Sequence, residues 1–307
     1  MEFTYADVRA AREIVRRHLP PTPMWRYPLL DELTGATVFV KHENTQPVGA
    51  FKVRGGLTLL ATGVRDTVTY STGNHAQSLA YASHVHGARC TVVMPAGASA
   101  ERADAVRQWG AEVVLKGEDL GAAQAHAEEL AATTGARLVS PGDTPELLAG
   151  VGTLYQEIFE AEPDLDAVVV PIGSGTGAAA ACVVAAALAP RCRVIGVQSA
   201  SSPAAHDSWR LGTLQTRPNR TTVAGLATGR GFALPQRIMR DRLADFRLVS
   251  DEEIAAARRL LASRAHTQAE GAGAAALALV TKFPEMFAGL RVAVVCTGGN
   301  ADPHELS

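Results

Sequence analysis

The stretch Ala167-Val-Val-Val-Pro-Ile-Gly-Ser-Gly-Thr-Gly-Ala178 joins an apolar run to a glycine-rich turn and an alanine-rich segment. The run Ala167–Pro171 has the composition of a strand that is buried on both faces. The alanine-rich segment, Ala178 to Ala189, is too short to cross a bilayer and predicts a buried helix. Strand, turn and helix in this order predict one unit of an α/β protein.

The same alternation extends along the chain. Short runs rich in valine and isoleucine, bounded by glycine, proline or serine, predict buried parallel strands. These runs are Thr37–Lys41, Val68–Ser71, Cys90–Met94, Glu112–Leu115, Ala167–Pro171, Arg193–Val197 and Val292–Cys296. Helical stretches between them include Asn74–His86, Ala122–Thr133 and Pro145–Glu160. A capping box, Ser250 followed three residues later by Glu253, predicts a further helix start. We therefore expect an α/β fold with parallel sheets.

Composition excludes several classes of protein. The chain has 307 residues, of which 47% are hydrophobic and 20% charged, so we expect a folded core. A net charge of −2 with interspersed signs gives no electrostatic reason for binding nucleic acid or an anionic membrane. The N-terminus lacks the apolar core of a signal peptide, and the four cysteines lack CxxC spacing. We expect a cytoplasmic protein with buried, reduced thiols.

The segment Gly49-Ala50-Phe51-Lys52-Val53-Arg54-Gly55-Gly56 places a lysine at the start of a predicted helix. Small neighbours leave room for a flat ligand, and a helix N-terminus disfavours the ammonium form. An unprotonated lysine amine can form a Schiff base with a carbonyl group. The chemistry of Lys52 alone leaves open an ordinary surface lysine.

The segment Ser71-Thr72-Gly73-Asn74-His75 lies between a predicted strand end and a predicted helix start. Backbone N–H groups and two hydroxyls there can bind an anion. A plain strand-to-helix turn with a good N-cap is the alternative interpretation.

The segment Gly173-Ser174-Gly175-Thr176-Gly177 directly precedes the alanine-rich helix, where a phosphate can bind. A dinucleotide loop would have GxGxxG spacing and an acidic residue at the end of the next strand. The spacing here is GxGxG, and Gln198 stands at that strand end. A monophosphate fits better than a dinucleotide, which disfavours a nucleotide-dependent oxidoreductase.

The last segment, Cys296-Thr297-Gly298-Gly299-Asn300, follows the final predicted strand. A hydroxyl followed by two glycines lets a planar ring approach the backbone closely. Taken alone it could equally be an ordinary glycine turn.

In this order the four segments resemble the fold-type II pyridoxal-phosphate (PLP) enzymes, specifically the serine/threonine dehydratase and serine racemase group. That group carries (S)FKxRG, SxGNH, a glycine-rich phosphate loop and a late SGGN, which here read GAFKVRGG, STGNHAQ, PIGSGTGA and CTGGN. The resemblance covers residues 23–300. It implies two parallel-sheet α/β domains of the tryptophan synthase β-like type with the cofactor between them.

The resemblance also implies the domain boundaries and the assembly. A discontinuous large PLP-binding domain would comprise residues 1–65 and 144–307. A small domain, residues 66–143, could close on the substrate. The group is usually dimeric, so a homodimer is expected.

Carried over by motif, the resemblance implies a role for each residue. Lys52 would hold PLP and take the Cα proton, Phe51 would pack against the cofactor, and Asn74 would bind its ring hydroxyl. Thr297 would face the pyridine nitrogen. The phosphate would be bound by Gly173, Ser174, Gly175, Thr176 and Gly177. The substrate carboxylate would be bound by Ser71, Thr72, Asn74 and His75.

The implied reaction is elimination of water from a small β-hydroxy amino acid such as serine or threonine, giving a 2-oxo acid and ammonia. Thr297 replaces the group's usual serine and keeps the hydroxyl, but three other departures from the group's pattern limit what the resemblance implies. Thr72 stands where the racemases have a second catalytic serine, which disfavours racemisation. Gln198, with Ala204 near a second ligand position, replaces carboxylates of metal-binding members, so no metal site is expected. Gly142 replaces a larger residue, which predicts a roomier or differently shaped substrate pocket.

Other reactions therefore stay open. They are dehydration of hydroxyaspartate, phenylserine or a hydroxyectoine-derived amino acid, racemisation, and β-replacement on the same cofactor. A protein that binds PLP without turnover is disfavoured, because Lys52, Asn74 and the whole phosphate loop are present.

Overall fold

The structure, a computed structural model, describes residues 3–306. Its strands are β1 (Met24–Arg26), β2 (Thr37–His42), β3 (Asp66–Tyr70), β4 (Arg89–Met94), β5 (Glu112–Leu115), β6 (Arg137–Val139), β7 (Ala167–Pro171), β8 (Arg193–Ser199), β9 (Asp245–Val249) and β10 (Arg291–Cys296). Its α-helices are α1 (Tyr5–Val15), α2 (Pro28–Thr34), α3 (Val53–Leu60), α4 (Asn74–His86), α5 (Ala100–Arg107), α6 (Leu120–Thr134), α7 (Pro145–Ala161), α8 (Thr176–Leu188), α9 (Ala204–Leu211), α10 (Ala233–Met239), α11 (Asp251–Ala265), α12 (Gly271–Lys282) and α13 (Pro303–Leu306).

The strands form two sheets. One has the order β1-β2-β10-β7-β8-β9, and every neighbouring pair is parallel except β1 with β2. The other has the order β5-β4-β3-β6 and is parallel throughout. The predicted α/β class with two parallel sheets is confirmed. Three short strands, β1, β6 and β9, were not expected from the sequence.

The larger sheet is buried on both faces. Alternate residues of β7 and β10 point into two separate hydrophobic clusters, for example Val168 into one and Val169 into the other. Helix α8 covers one face and α12 the other, and their alanines let both helices approach the strands closely. The predicted buried helix after the glycine-rich turn is therefore confirmed.

The smaller sheet comprises strands between Asp66 and Val139. Helix α3 shares its core, since Leu57 and Leu60 pack with Leu79 and Val92. The division into residues 1–65 with 144–307 and residues 66–143 stays a prediction. The buried apolar residues of α3 all belong to the hydrophobic cluster that includes the small sheet.

Smaller expectations also have clear outcomes. The capping box is present, with the Ser250 hydroxyl accepting from the Glu253 N–H at 3.2 Å. Cys90, Cys182, Cys192 and Cys296 are buried and free. Among residues 3–306, no helix combines the length and the apolar character needed to cross a membrane.

Candidate active site

A cavity of about 760 Å³ lies at the carboxyl ends of β3, β7 and β10. This is where ligands bind in parallel α/β sheets, because the loops that follow neighbouring strands converge there. All four sequence motifs contribute to its wall, including Lys52, Asn74, Ser174 and Thr297. The structure thus brings together segments that are up to about 250 residues apart in the chain.

Lys52 is the N-cap residue of α3, as expected, and its amine reaches the glycine-rich turn. Its Nζ donates to Thr176 Oγ1 at 2.7 Å and to Ser174 Oγ at 3.2 Å. It forms no salt bridge with a described carboxylate. Burial without a counter-charge lowers the pKa of Lys52 to about 7. A large fraction of the amine is therefore unprotonated near neutral pH.

The turn from Gly173 to Gly177 needs its glycines. A Cβ at Gly173 would lie 2.3 Å from the Gly225 carbonyl oxygen, and Gly175 has a φ of +91°. The turn leads directly into α8, whose first N–H groups have no partners within the helix. Phosphate binds readily at such a helix start. The half-buried Phe51 ring lies beside this turn, with its centroid 5.2 Å from Lys52 Nζ.

Asn74 is fixed by two polar partners. Its Nδ2 donates to Glu270 Oε1 at 2.7 Å, and its Oδ1 accepts from Asn300 Nδ2 at 2.8 Å. Burial raises the pKa of Glu270 to about 8, although the hydrogen bond from Asn74 opposes the shift. Glu270 is therefore largely protonated at pH 7 and can itself donate a hydrogen bond.

Glu270 is a site residue that the sequence interpretation missed. It precedes α12 as its N-cap and borders the cavity. The only signal was a single acidic residue before an alanine-rich helix, in Ala269-Glu270-Gly271. That pattern is typical of an ordinary helix start, so it did not indicate a site.

Thr297 is buried at the cavity wall, and its carbonyl oxygen accepts from the Phe51 N–H at 3.0 Å. Its hydroxyl makes no hydrogen bond to another residue in the described part of the chain. A cavity-lining hydroxyl without a protein partner is free to bind a ligand atom.

The loop Ser71–His75 contributes in two ways. The Ser71 hydroxyl accepts from the Gly73 N–H at 3.2 Å, and the Thr72 hydroxyl accepts from Arg102 Nη1 at 3.1 Å. The His75 imidazole points away, with Nε2 2.9 Å from Thr69 Oγ1. Burial lowers the pKa of His75 to about 3, so its ring stays neutral. His75 can therefore offer an anion its backbone N–H group but not its imidazole.

The pocket is not roomier at Gly142. A Cβ built there would lie 2.3 Å from Cγ of Phe232, so that ring occupies the space of the missing side chain. Phe232 is buried and borders the cavity. Of the two expectations for this position, a differently shaped pocket is the one that agrees with the structure.

Gln198 has a structural role. Its side-chain oxygen accepts from the His206 N–H at 3.0 Å within the first turn of α9, which begins at Ala204. Within residues 3–306, no group of three histidine, cysteine or acidic side chains could hold a metal ion. Independence from divalent metal stays a prediction.

The residues present fit pyridoxal phosphate. Lys52 offers an amine for the aldehyde, and the start of α8 offers N–H groups for the phosphate. The unpartnered Thr297 hydroxyl would suit the ring nitrogen, and Asn74 would suit the ring hydroxyl.

Comparison with known proteins agrees with this fit. The family model described as pyridoxal-phosphate dependent enzyme matches residues 15–298. The β-hydroxyaspartate dehydratase of Paracoccus denitrificans is 35% identical over 99% of this chain and 98% of its own length. The L-threonine ammonia-lyase of Thermotoga maritima is 34% identical over 98% of this chain and 76% of its own. The crystal structure of serine racemase from Dictyostelium discoideum superposes with a TM-score of 0.91 at 28% identity, covering 97% of this chain and 99% of that one.

Proposed function

Since the chain belongs to the family of pyridoxal-phosphate dependent enzymes, we propose that it eliminates water from a small β-hydroxy amino acid. The products are a 2-oxo acid and ammonia. The observation that carries the proposal is the Lys52 amine, held by Ser174 and Thr176 with a pKa of about 7. When bound, the cofactor supplies an electron sink that acidifies the substrate Cα–H bond.

The proposed roles of the residues follow from their positions. Gly173 to Gly177 would hold the cofactor phosphate, and Phe51 would pack beside the pyridine ring. Asn74, which donates to Glu270, would bind the ring hydroxyl of the cofactor. Thr297 would offer the pyridine nitrogen a neutral hydroxyl.

The substrate carboxylate binds at the loop Ser71–His75. Ser71, Thr72, Asn74 and His75 offer N–H groups or hydroxyls there, and Arg102 adds positive charge beside Thr72. The guanidinium of Arg102 is already paired with Asp302, so it orients the loop and does not neutralise the substrate alone. A substrate bound here would share the cavity with the Lys52 amine.

In the proposed reaction Lys52 both accepts and returns the proton. The neutral amine takes the Cα proton, and the resulting ammonium returns a proton to the β-hydroxyl as the Cβ–O bond breaks. Water leaves, and the released enamine takes up water to give the 2-oxo acid and ammonia. One group can do both, because an amine takes a proton and its ammonium form returns one.

The names of similar proteins support elimination but include a second reaction. Two of these proteins, a β-hydroxyaspartate dehydratase and a threonine ammonia-lyase, are named for elimination reactions. Serine racemases, which are about 30% identical to this chain, are named for racemisation. Racemisation needs a proton donor on the face opposite Lys52. By the resemblance in motif, Thr72 replaces the serine that would serve there in the racemases, and its hydroxyl accepts from Arg102. We propose that elimination dominates.

We also propose that the protein is a homodimer and acts in the cytoplasm. Three exposed apolar side chains, Trp25, Leu29 and Leu33, lie on β1 and α2 at one edge of the larger sheet. A cluster of this kind is typical of a surface covered in an oligomer. Light scattering on the purified protein would measure the mass in solution.

A substrate screen tests the proposed function. Purified enzyme with PLP is incubated with L-serine, L-threonine, phenylserine and 3-hydroxyaspartate, and the 2-oxo acid and ammonia are measured. Borohydride reduction followed by peptide mapping should label Lys52. A label on another lysine, or absence of 2-oxo acid with every substrate, would contradict the proposal.

A further inference from the structure

The cavity wall carries three arginines, and they differ in their partners. Arg102 pairs with Asp302, and Arg217 pairs with Asp207 at 2.7 Å. Arg230 forms no salt bridge with a carboxylate in the described residues, and its side-chain hydrogen bond goes to the neutral hydroxyl of Tyr70 at 3.2 Å. A half-buried guanidinium without a counter-ion favours an anionic ligand.

The local structure holds Arg230 in place. Its backbone pairs with Thr216 in an isolated antiparallel bridge. Its guanidinium lies over the Phe232 ring, with 4.9 Å between the guanidinium carbon and the ring centroid. Phe232 in turn fills the space above Gly142. The charged group is thus supported from below by an aromatic face, which reduces the entropy that binding would cost.

Arg230 lies near the part of the cavity where the substrate side chain would bind. Tyr70, which it contacts, directly precedes Ser71 of the carboxylate-binding loop. Gly142 lies where the sequence predicts a pocket residue, and the Phe232 ring contacts it. Lys52 and Arg230 border the same cavity. An amino acid bound through Ser71–His75 would therefore have its side chain within the cavity that Arg230 faces.

We propose that Arg230 selects substrates whose side chain is anionic. The anionic group would be a second carboxylate, attached to Cβ. This inference rests on the proposed function and names its substrate class, a β-hydroxy amino dicarboxylic acid. The planar guanidinium can bind a carboxylate through two parallel hydrogen bonds. The Tyr70 hydroxyl orients it.

The test compares two substrates of the holoenzyme, 3-hydroxyaspartate in both diastereomeric forms and L-serine. The expected wild-type preference, as a ratio of kcat/KM values, is for hydroxyaspartate. Arg230→Gln should reduce that ratio by about 10- to 100-fold, the loss expected for hydrogen bonds to a charged group. Arg230→Lys should keep part of the preference, and Tyr70→Phe should reduce it less than Arg230→Gln.

Arg217→Gln is the matched control, because Arg217 borders the same cavity but is already paired with Asp207. It should leave the substrate ratio unchanged. An unchanged ratio in Arg230→Gln, or an equal fall in both variants, would overturn the inference. Loss of bound cofactor in Arg230→Gln, seen as loss of visible absorbance, would also overturn it, since the guanidinium would then serve the cofactor phosphate.

A binding measurement separates this inference from the proposed function. Succinate should raise the melting temperature of the holoenzyme more than butyrate does, and Arg230→Gln should abolish the difference. If no substrate gives 2-oxo acid but this difference is found, the proposed reaction fails and the anion site stands. Equal effects of the two acids on wild-type enzyme would overturn the anion site.

Discussion

The amine of Lys52 should titrate near neutral pH in the cofactor-free enzyme. Among the described residues, its Nζ has the hydroxyls of Ser174 and Thr176 as side-chain partners, and burial lowers its pKa from 10.5 to about 7. At pH 7 about half of the amine is then unprotonated, against roughly one molecule in 3,000 for an ordinary lysine. Only the unprotonated form attacks an aldehyde, so the shift accelerates cofactor attachment at neutral pH.

Trace acetylation of the apoenzyme measures this titration. Acetic anhydride is added at each pH from about 5 to 11, and the acetylated Lys52 peptide is quantified by mass spectrometry. The midpoint of the pH curve is the result, because restricted access to a cavity changes the rate but not the midpoint. Exposed Lys116 in the same digest provides the reference curve. A Lys52 midpoint close to 10.5 would refute the argument from burial.

Three further predictions concern reaction choice and stability. With L-serine as substrate, much less D-serine than pyruvate should form, because Thr72 replaces the second catalytic serine of the racemases. Comparable yields of D-serine and pyruvate in a chiral assay would contradict this prediction. Thr297→Asp, with cofactor occupancy matched by absorbance, should raise transamination or racemisation relative to elimination, because a carboxylate can stabilise a protonated ring nitrogen; Thr297→Ser should not. Arg54→Met should lower the free energy of unfolding by about 3–5 kcal/mol in urea titrations, because Arg54 is fully buried between Glu43 and Glu157. Adding Glu43→Leu should recover part of that loss, and equal stability of Arg54→Met and wild type would contradict the prediction.

The parts of the fold that could be predicted from sequence are local ones. A strand, a glycine-rich turn and a helix start are each determined by residues within a few positions. Helix α4, Asn74–His86, therefore has the predicted bounds. Strand β9, Asp245–Val249, was missed because two of its five residues are charged and it lies at a sheet edge. Its place is determined by pairing with β8, about 50 residues earlier.

The parts of the site that could not be predicted depend on contacts between distant segments. Glu270 acts on Asn74 across 196 positions of sequence. Phe232 fills the space at Gly142 from a loop 90 residues later, so a missing side chain did not give a larger pocket. That Arg230 has no carboxylate partner within residues 3–306 likewise depends on where every neighbouring loop lies. No short motif contains such information.

Burial has one consistent electrostatic effect on this cavity. It favours the neutral form of three groups at once, since the pKa of Lys52 falls to about 7, that of His75 falls to about 3 and that of Glu270 rises to about 8. Backbone N–H groups and hydroxyls are then left to bind the phosphate and the α-carboxylate, and they cost little reorganisation because they are fixed by helix starts. Arg230 borders the same cavity and has no carboxylate partner among the described residues, so its guanidinium can bind an anion there. A substrate side chain with a second carboxylate would therefore gain most from this site, and an uncharged one would leave Arg230 without a counter-ion.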